Sequence, residues 1–175
     1  AVKKASITLN KENYLDTTKD FFLPFPLMNI INGGAHADND LKIQEFMIRP
    51  DSAKNFMDAI EKCFLVIQNL KKILKTNKFL TNVGDEGGFA PNIDSSKEVI
   101  ELIIESVLST GLKMEEDIAL SLDVASTEFF LDSSYHLKGE NKIFSSDEMI
   151  RYLIDLRNTY PIYSIEDGMA EDDWE

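Results

Sequence analysis

Several features that define particular classes of protein are scarce in this 175-residue sequence. A single cysteine, Cys63, excludes a disulfide framework within one chain. Basic residues are outnumbered, with 18 lysines and arginines against 31 acidic residues and a formal net charge of -13. A nucleic-acid backbone would be repelled by that charge, since no basic stripe opposes it. The longest apolar run, residues 21–31, is broken by two prolines and is too short to cross a bilayer.

The N-terminus also lacks the signal of a secreted protein. It reads Ala-Val-Lys-Lys-Ala-Ser, and no apolar stretch of signal-peptide length follows the positive charges. Cys63 lies among apolar residues at helical spacing, which suits a small buried side chain in a reducing compartment. We therefore expect a soluble cytoplasmic protein.

What is present is the composition of a folded chain. Hydrophobic residues make up 43% and charged residues 28%, far from the signature of disorder. The length allows one ordinary domain, but a whole eight-stranded α/β barrel needs roughly 250 residues. The sequence therefore predicts one folded unit that is smaller than a complete barrel.

The first elements are two strands, at residues 27–31 and 43–48, with a loop rich in glycine and Asn/Asp between them. Further strands are predicted at 118–124, which is apolar throughout as in a strand covered on both faces, and at 162–165. A short hairpin is predicted from 129 to 137.

Three helices are predicted between these strands. The first runs from about 54 to 74, with Asp51 or Ser52 as its cap. Capping boxes at Ser95–Glu98 and Ser145–Glu148 open the other two. The second helix ends near Gly111 and buries Val99, Leu102, Ile103 and Val107. The face predicted to be buried in the first helix consists of Phe56, Ile60, Phe64, Ile67, Leu70 and Leu74. Strands separated by helices predict parallel neighbours and an α/β class.

Acidic residues close two of the predicted strands. Asp123 follows Ile-Ala-Leu-Ser-Leu, and Glu166 follows Ile-Tyr-Ser-Ile. The carboxyl ends of strands form the mouth of an α/β barrel or sheet, so both carboxylates are expected in one crevice, where oxygen ligands suit magnesium. An acid after a strand can equally well cap the next helix, and spacing alone does not decide between the two.

Glu45 is unusual because it interrupts the apolar segment Ile43-Gln-Glu-Phe-Met-Ile48. A buried and unpaired carboxylate would be costly or would take up a proton. For an isolated strand, an exposed side chain is the simpler interpretation.

Two glycine-rich loops carry further candidates. The loop Asn82–Asn92 contains Asp85-Glu86 and lacks the lysine of a phosphate-binding loop. A flexible glycine loop that carries an acid suits a general acid brought over a closing site, whereas composition alone favours a surface turn. His36, in the first loop, is either a substrate contact or a solvated side chain.

Five segments taken together resemble the enolase family. They occur in the expected order over nearly the whole chain: residues 28–39 (MNIINGGAHADN), 43–48 (IQEFMI), 82–92 (NVGDEGGFAPN), 121–126 (SLDVAS) and 164–168 (SIEDG). The Gly-Gly-Ala-His-Ala-Asp-Asn form of the first is more similar to bacterial than to animal members. The resemblance implies an α/β fold, about half of an enolase-type barrel that begins strand, strand, helix, helix.

The resemblance also implies a reaction, the reversible dehydration of 2-phosphoglycerate to phosphoenolpyruvate with Mg²⁺. By match to the family motifs, Asp123 and Glu166 are metal ligands, and Glu86 is the acid that assists loss of the C3 hydroxyl. Glu45 is the carboxylate beside that acid and belongs to both the catalytic and the substrate-binding set, while His36 and Gln44 contact substrate. A complete family member is expected to be a dimer or larger.

Large parts of the family pattern are not matched. The resemblance assigns residues 1–20 to the end of the N-terminal α+β domain, most of which is absent, with a last helix at 1–11, and residues 21–175 to the first half of the barrel. The third metal ligand, the base lysine and other substrate-binding residues would lie beyond Glu175. The isolated chain is therefore expected to be inactive and to expose edge strands and apolar faces. The alternative is a non-catalytic module that binds metal or protein through its acidic surface.

Overall fold

The structure, a computed structural model, describes residues 8–9 and 23–174. Its helices and strands, in chain order, are β1 (Met28–Asn32), β2 (Glu45–Arg49), α1 (Phe56–Thr76), α2 (Ser96–Leu108), β3 (Ala119–Asp123), β4 (Phe130–Leu131), β5 (Ser134–Leu137), β6 (Lys142–Phe144), α3 (Ser146–Thr159) and β7 (Ile162–Glu166). The predicted α/β class and the start strand, strand, helix, helix are confirmed. The predicted helix at 1–11 and the domain boundary near residue 20 lie outside the described residues, apart from 8 and 9.

The main sheet has the strand order β1-β2-β3-β7. β3 and β7 are parallel, as predicted for strands joined through a helix. β2 runs antiparallel to both of its neighbours, β1 and β3. The prediction of parallel neighbours is therefore wrong for β2 and β3.

The direction of β2 follows from the number of helices that come after it. One helix between two strands returns the chain to the starting end of the sheet, so that the next strand runs parallel. Here α1 and α2 lie between β2 and β3, and the second helix cancels the return made by the first. As a result, the first residue of β2, Glu45, faces the last residue of β3, Asp123.

A second, smaller sheet contains β4, β5 and β6. The predicted hairpin corresponds to β4 and β5, joined at Asp132 and Ser133, whose φ angles are 49° and 58°. Two successive left-handed residues are the geometry of a tight two-residue hairpin turn. The third strand, β6, was not predicted, because its three residues are too few for a recognisable pattern.

The helix starts are set by side-chain caps. The Ser145 backbone N–H donates to the Glu148 carboxylate at 2.9 Å, which confirms the predicted start of α3. The Glu98 backbone N–H donates to Ser95 Oγ at 3.4 Å at the start of α2. The predicted cap of α1 is wrong, since Asn55 Oδ1 accepts from the Asp58 backbone N–H instead. The two residues proposed for that cap bond elsewhere, Asp51 to Arg49 and Ser52 to Asp117.

The buried face of α1 also differs from the prediction. Phe56 and Phe64 are 48% and 58% exposed. The residues of α1 that are buried are Ala59, Cys63, Val66, Leu70 and Leu74. Apolar residues surround much of this helix, so the three- and four-residue spacing fits more than one face. The smaller side chains face the core, where they allow close helix packing, and the prediction that Cys63 is buried is confirmed.

The core lies around β2, β3 and the inner faces of the helices. β3 is buried from Ala119 to Leu122, and the four apolar residues predicted for α2 are buried as well. By contrast, β7 and α3 leave apolar side chains exposed, with Tyr163 at 67% and Ile154 at 53%. None of the helices in the described ranges combines the length and the apolar character that a bilayer crossing requires.

The orientation of α1 can be tested by two truncations on the same helix. We expect Val66→Ala, at a fully buried position, to lower the free energy of unfolding by about 1.5–3 kcal/mol. The matched control Phe64→Ala should change it by about 0.5 kcal/mol, because that side chain is mostly exposed. Urea denaturation measures both values, and a larger loss for Phe64→Ala would show that the originally predicted face is the buried one.

Candidate active site

Four polar side chains form a row across one end of the main sheet. In the strand register Asn32 pairs with Glu45, Glu45 with Asp123, and Asp123 with Glu166. Asn32, Asp123 and Glu166 end their strands, whereas Glu45 begins its own. The antiparallel direction of β2 is what places Glu45 in this row, next to carboxylates that are far from it in sequence.

The loop between α1 and α2 covers the outer edge of β1 at the same end. The Phe89 backbone N–H donates to the Ile30 carbonyl at 2.9 Å, and the Asn32 backbone N–H donates to the Phe89 carbonyl at 2.8 Å. Phe89 thus acts as a one-residue strand beside β1. This pairing brings Glu86, three residues earlier, to the carboxylate row.

His36 lies close to both Glu45 and Glu86. It ends a short 3-10 turn, and its Nδ1 lies 3.4 Å from Glu45 Oε1 and 3.8 Å from Glu86 Oε2. Its carbonyl accepts a hydrogen bond from the Asp85 backbone N–H at 3.1 Å, which links the two glycine-rich loops. Potential ligand atoms of His36, Glu45 and Glu86 all lie within 4.8 Å of one another.

The two glutamates share a proton unequally. The pKa of Glu45 is raised to about 7, mainly by burial, then by the hydrogen bond and negative charge of Glu86, and also by the charges of Asp123 and Glu166. The pKa of Glu86 is lowered because Glu45 and Asn29 donate hydrogen bonds to it. The shared proton therefore resides on the more buried Glu45, and Glu86 is the ionised partner.

Asp123 and Glu166 form the other half of the row. The Ala125 backbone N–H donates to Asp123 Oδ1 at 3.1 Å, and Gln44 Nε2 donates to Asp123 Oδ2 at 3.5 Å. Burial raises the pKa of Asp123, and so does the charge of Asp167. The pKa of Glu166 is raised by burial, by Asp123 and by Asp167. Neighbouring negative charge therefore disfavours the ionised form of both Asp123 and Glu166.

This donor set fits a hard divalent cation. Carboxylate oxygens at adjoining strand ends are the ligands that Mg²⁺ takes in proteins, and a bound cation would offset the repulsion between Asp123 and Glu166. The cluster of His36, Glu45 and Glu86 also offers three ligand atoms. A cation there would have to displace the proton held by Glu45, so Asp123 and Glu166 fit the magnesium ion better.

The structure brings the residues singled out by the sequence to one end of the sheet. They are His36, Gln44, Glu45, Glu86, Asp123 and Glu166. The Glu45 side chain is only 14% exposed. The solvent-exposed position expected for an isolated strand is therefore wrong. Their roles in catalysis and binding stay predictions.

Sequence reasoning missed two residues of β1. Asn29 Nδ2 donates to Glu86 Oε2 at 3.3 Å, and Asn32 is completely buried beside the row. The signal was present in Met28-Asn-Ile-Ile-Asn32, since an amide in an apolar strand needs a partner as much as a carboxylate does.

A ββαα start followed by a parallel strand pair, with acidic residues gathered at the strand ends, defines an α/β-barrel type of domain with its site at the mouth. The family described as the enolase C-terminal TIM barrel domain matches residues 20–175. The chain belongs to this family.

The coupling of the two glutamates predicts a stability that depends on pH in the metal-free protein. The pKa of Glu45 in the folded state, about 7, lies above its ordinary value of 4.5, so folding favours the protonated form. The stability that goes with this proton is present below about pH 4.5 and is lost as pH rises through about 7. We expect this fall to disappear in Glu45→Gln, measured as the difference in unfolding free energy from wild type.

A carboxyl ¹³C NMR titration checks the same group directly. We expect Glu45 to titrate near 7 and to shift downward, but to stay raised, in Glu86→Gln, since burial persists after that charge is removed. A Glu45 titration near 4.5 in wild type would contradict the arrangement.

Proposed function

We propose that this chain is part of an enolase that interconverts 2-phosphoglycerate and phosphoenolpyruvate in glycolysis and gluconeogenesis. The observation that carries the proposal is the row of carboxylates with two different environments. Glu45 and Glu86 share a proton on one side, and Asp123 and Glu166 repel each other on the other. Membership of the enolase barrel family supports this assignment.

The reaction explains why the two environments are needed. Removal of a proton from the carbon beside a carboxylate places a second negative charge on that group. Mg²⁺, when bound, supplies the positive charge that stabilises it, and Asp123 and Glu166 are the residues of this chain that would hold the ion. Gln44 orients Asp123 through its amide N–H and lies close enough to the row to contact substrate.

The acid side of the reaction is assigned to the glutamate pair. Loss of the C3 hydroxyl requires a proton at the departing oxygen. The Glu86 side chain is 47% exposed, whereas that of Glu45 is 14% exposed and holds the proton. The proton of Glu45 passes to Glu86, and Glu86 delivers a proton to the C3 oxygen as the C3–O bond breaks, so that the hydroxyl leaves as water and Glu45 is reprotonated from solvent. His36, in contact with both carboxylates, takes part in binding the substrate.

The remaining groups are assigned to parts of the polypeptide outside this sequence. We place the base lysine, the third metal ligand and the substrate-binding arginine there, so the isolated chain is expected to have no turnover. Residues 1–20 are proposed to be the end of the N-terminal domain and its linker. The complete protein is proposed to be a cytoplasmic, bacterial-type homo-oligomer that binds neither nucleic acid nor membrane, although such enzymes also occur at the cell surface.

The proposal is tested with the complete protein that contains this chain. We expect it to form phosphoenolpyruvate from 2-phosphoglycerate, followed by ultraviolet absorbance, and to lose activity with a chelator and regain it with excess Mg²⁺. Inactivity of a folded, magnesium-loaded sample would refute the proposal and would favour a non-catalytic acidic binding module.

The role of Glu86 can be separated from proton abstraction at C2. In Glu86→Gln we expect loss of the hydroxyl to slow by roughly 10²–10⁴-fold, because general acid catalysis contributes that much, while exchange of the C2 proton with solvent continues. Exchange is followed by NMR in deuterated buffer. If exchange stops together with turnover, Glu86 does not belong to the acid side. Glu61→Gln, on the exposed face of α1, is the matched control.

A further inference from the structure

Asn32 is an unusual residue for the end of a sheet strand. It is 0% exposed, and neither its side-chain Nδ2 nor its Oδ1 has a hydrogen-bond partner within the described part of the chain. A buried amide without partners costs free energy that an apolar side chain of similar size would not. Something other than core packing therefore accounts for an asparagine here.

The amide of Asn32 lies against the backbone of the loop that carries Glu86. A Cβ atom added at Gly84 would collide with Asn32 Nδ2, and one added at Gly88 would lie 2.7 Å from Asn32 Oδ1. Neither glycine has a positive φ, so they are required here for space and not for conformation. The flat amide fits between two glycines that are themselves joined by the Gly84 N–H to Gly88 carbonyl bond of 2.8 Å.

The backbone of Asn32 holds the same loop. Its N–H donates to the Phe89 carbonyl at 2.8 Å. Its carbonyl accepts from Asn39 Nδ2, which also donates to the Pro91 carbonyl at 3.2 Å. Contacts from one residue therefore reach the loop on both sides of Glu86.

A register irregularity in β1 brings a second asparagine to this loop. Asn29 and Asn32 are three residues apart and would lie on opposite faces of a regular strand. The pairing with β2 shifts between Asn29 and Ile31, which changes the alternation. Asn29 can therefore donate to Glu86 Oε2 while Asn32 contacts the glycines next to Glu86.

We propose that Asn32 is the positioning residue that fixes the Gly84–Gly88 turn against β1, so that Glu86 meets Glu45 and His36. This inference rests on the proposed function, because it assigns importance to the place of Glu86. Asn32 touches no reacting atom, and it acts through the loop. The Nδ2 and Oδ1 atoms of its side chain lie against the loop backbone at Gly84 and Gly88.

The first test substitutes Asn32 in the complete protein. We expect Asn32→Ala to lower kcat by roughly 10²-fold, since a misplacement of about 1 Å costs that much, while KM and the magnesium concentration for half-activation change little. Asn69→Ala is the matched control, because Asn69 lies on α1 and its side chain donates to the Leu65 carbonyl of the same helix at 2.9 Å. It should leave kcat unchanged.

Amide hydrogen exchange supplies a readout that does not depend on activity. In Asn32→Ala, the hydrogen-bonded amides of Gly84, Gly87 and Phe89 should exchange faster by about 10-fold or more, while the amides of α1 keep their protection. Equal acceleration in α1 would show general destabilisation and would overturn the proposal. If the alanine variant does not fold, the same exchange measurements are made on Asn32→Ser, and the same faster exchange of the loop amides is expected.

A double-mutant cycle with Gly88→Ala tests the contact itself. Gly88→Ala alone should impair kcat because its Cβ would lie 2.7 Å from Asn32 Oδ1 and 2.9 Å from the Ile30 backbone carbonyl carbon, and removing the Asn32 amide should relieve the first of these two clashes. We expect kcat of the Asn32→Ala, Gly88→Ala protein to exceed the product of the single effects by at least about 5-fold. Strict additivity, or unchanged kcat and loop exchange in Asn32→Ala, would refute the assignment. An inactive wild-type protein with the predicted exchange pattern would instead refute only the proposed reaction.

Discussion

Repulsion between carboxylates is the constraint on which this end of the molecule depends. Glu45, Asp123 and Glu166 are held in one row by strand pairing, and Glu86 is added by a docked loop. Backbone hydrogen bonds of the sheet hold the groups together against their charge. A proton on Glu45 reduces this repulsion, and a cation held by Asp123 and Glu166 would reduce it further.

The proton on Glu45 and a cation at Asp123 and Glu166 would affect each other electrostatically. Asp123 and Glu166 both contribute to the raised pKa of Glu45. Positive charge placed between those two carboxylates would lower the pKa of Glu45 and make its proton easier to transfer. A cation held by Asp123 and Glu166 would therefore favour release of the proton from Glu45.

Part of this arrangement could be predicted from the sequence. Asp123 and Glu166 were placed together because each follows an apolar strand, and strand ends meet at one edge of a sheet. Glu45 could not be placed from periodicity, because its position depends on the direction of β2. The buried face of α1 was mispredicted because apolar residues surround the helix, so only packing selects between faces. The amide of Asn32 in an apolar strand indicates the need for a partner, but the loop backbone that surrounds it is evident only in the structure.

The antiparallel course of β2 has a consequence for how this site tolerates change. Glu45 is held by ladders on both sides of its strand, whereas the preceding segment, residues 37–42, contains no helix or strand. The position of the glutamate therefore depends on the alignment of β2 with β1 and β3. A slip of β2 by a single residue would turn Glu45 to the opposite face of the sheet and place a hydrophobic neighbour, Phe46, among the acids. The pairing of β2 thus decides which side chain lies among the acids.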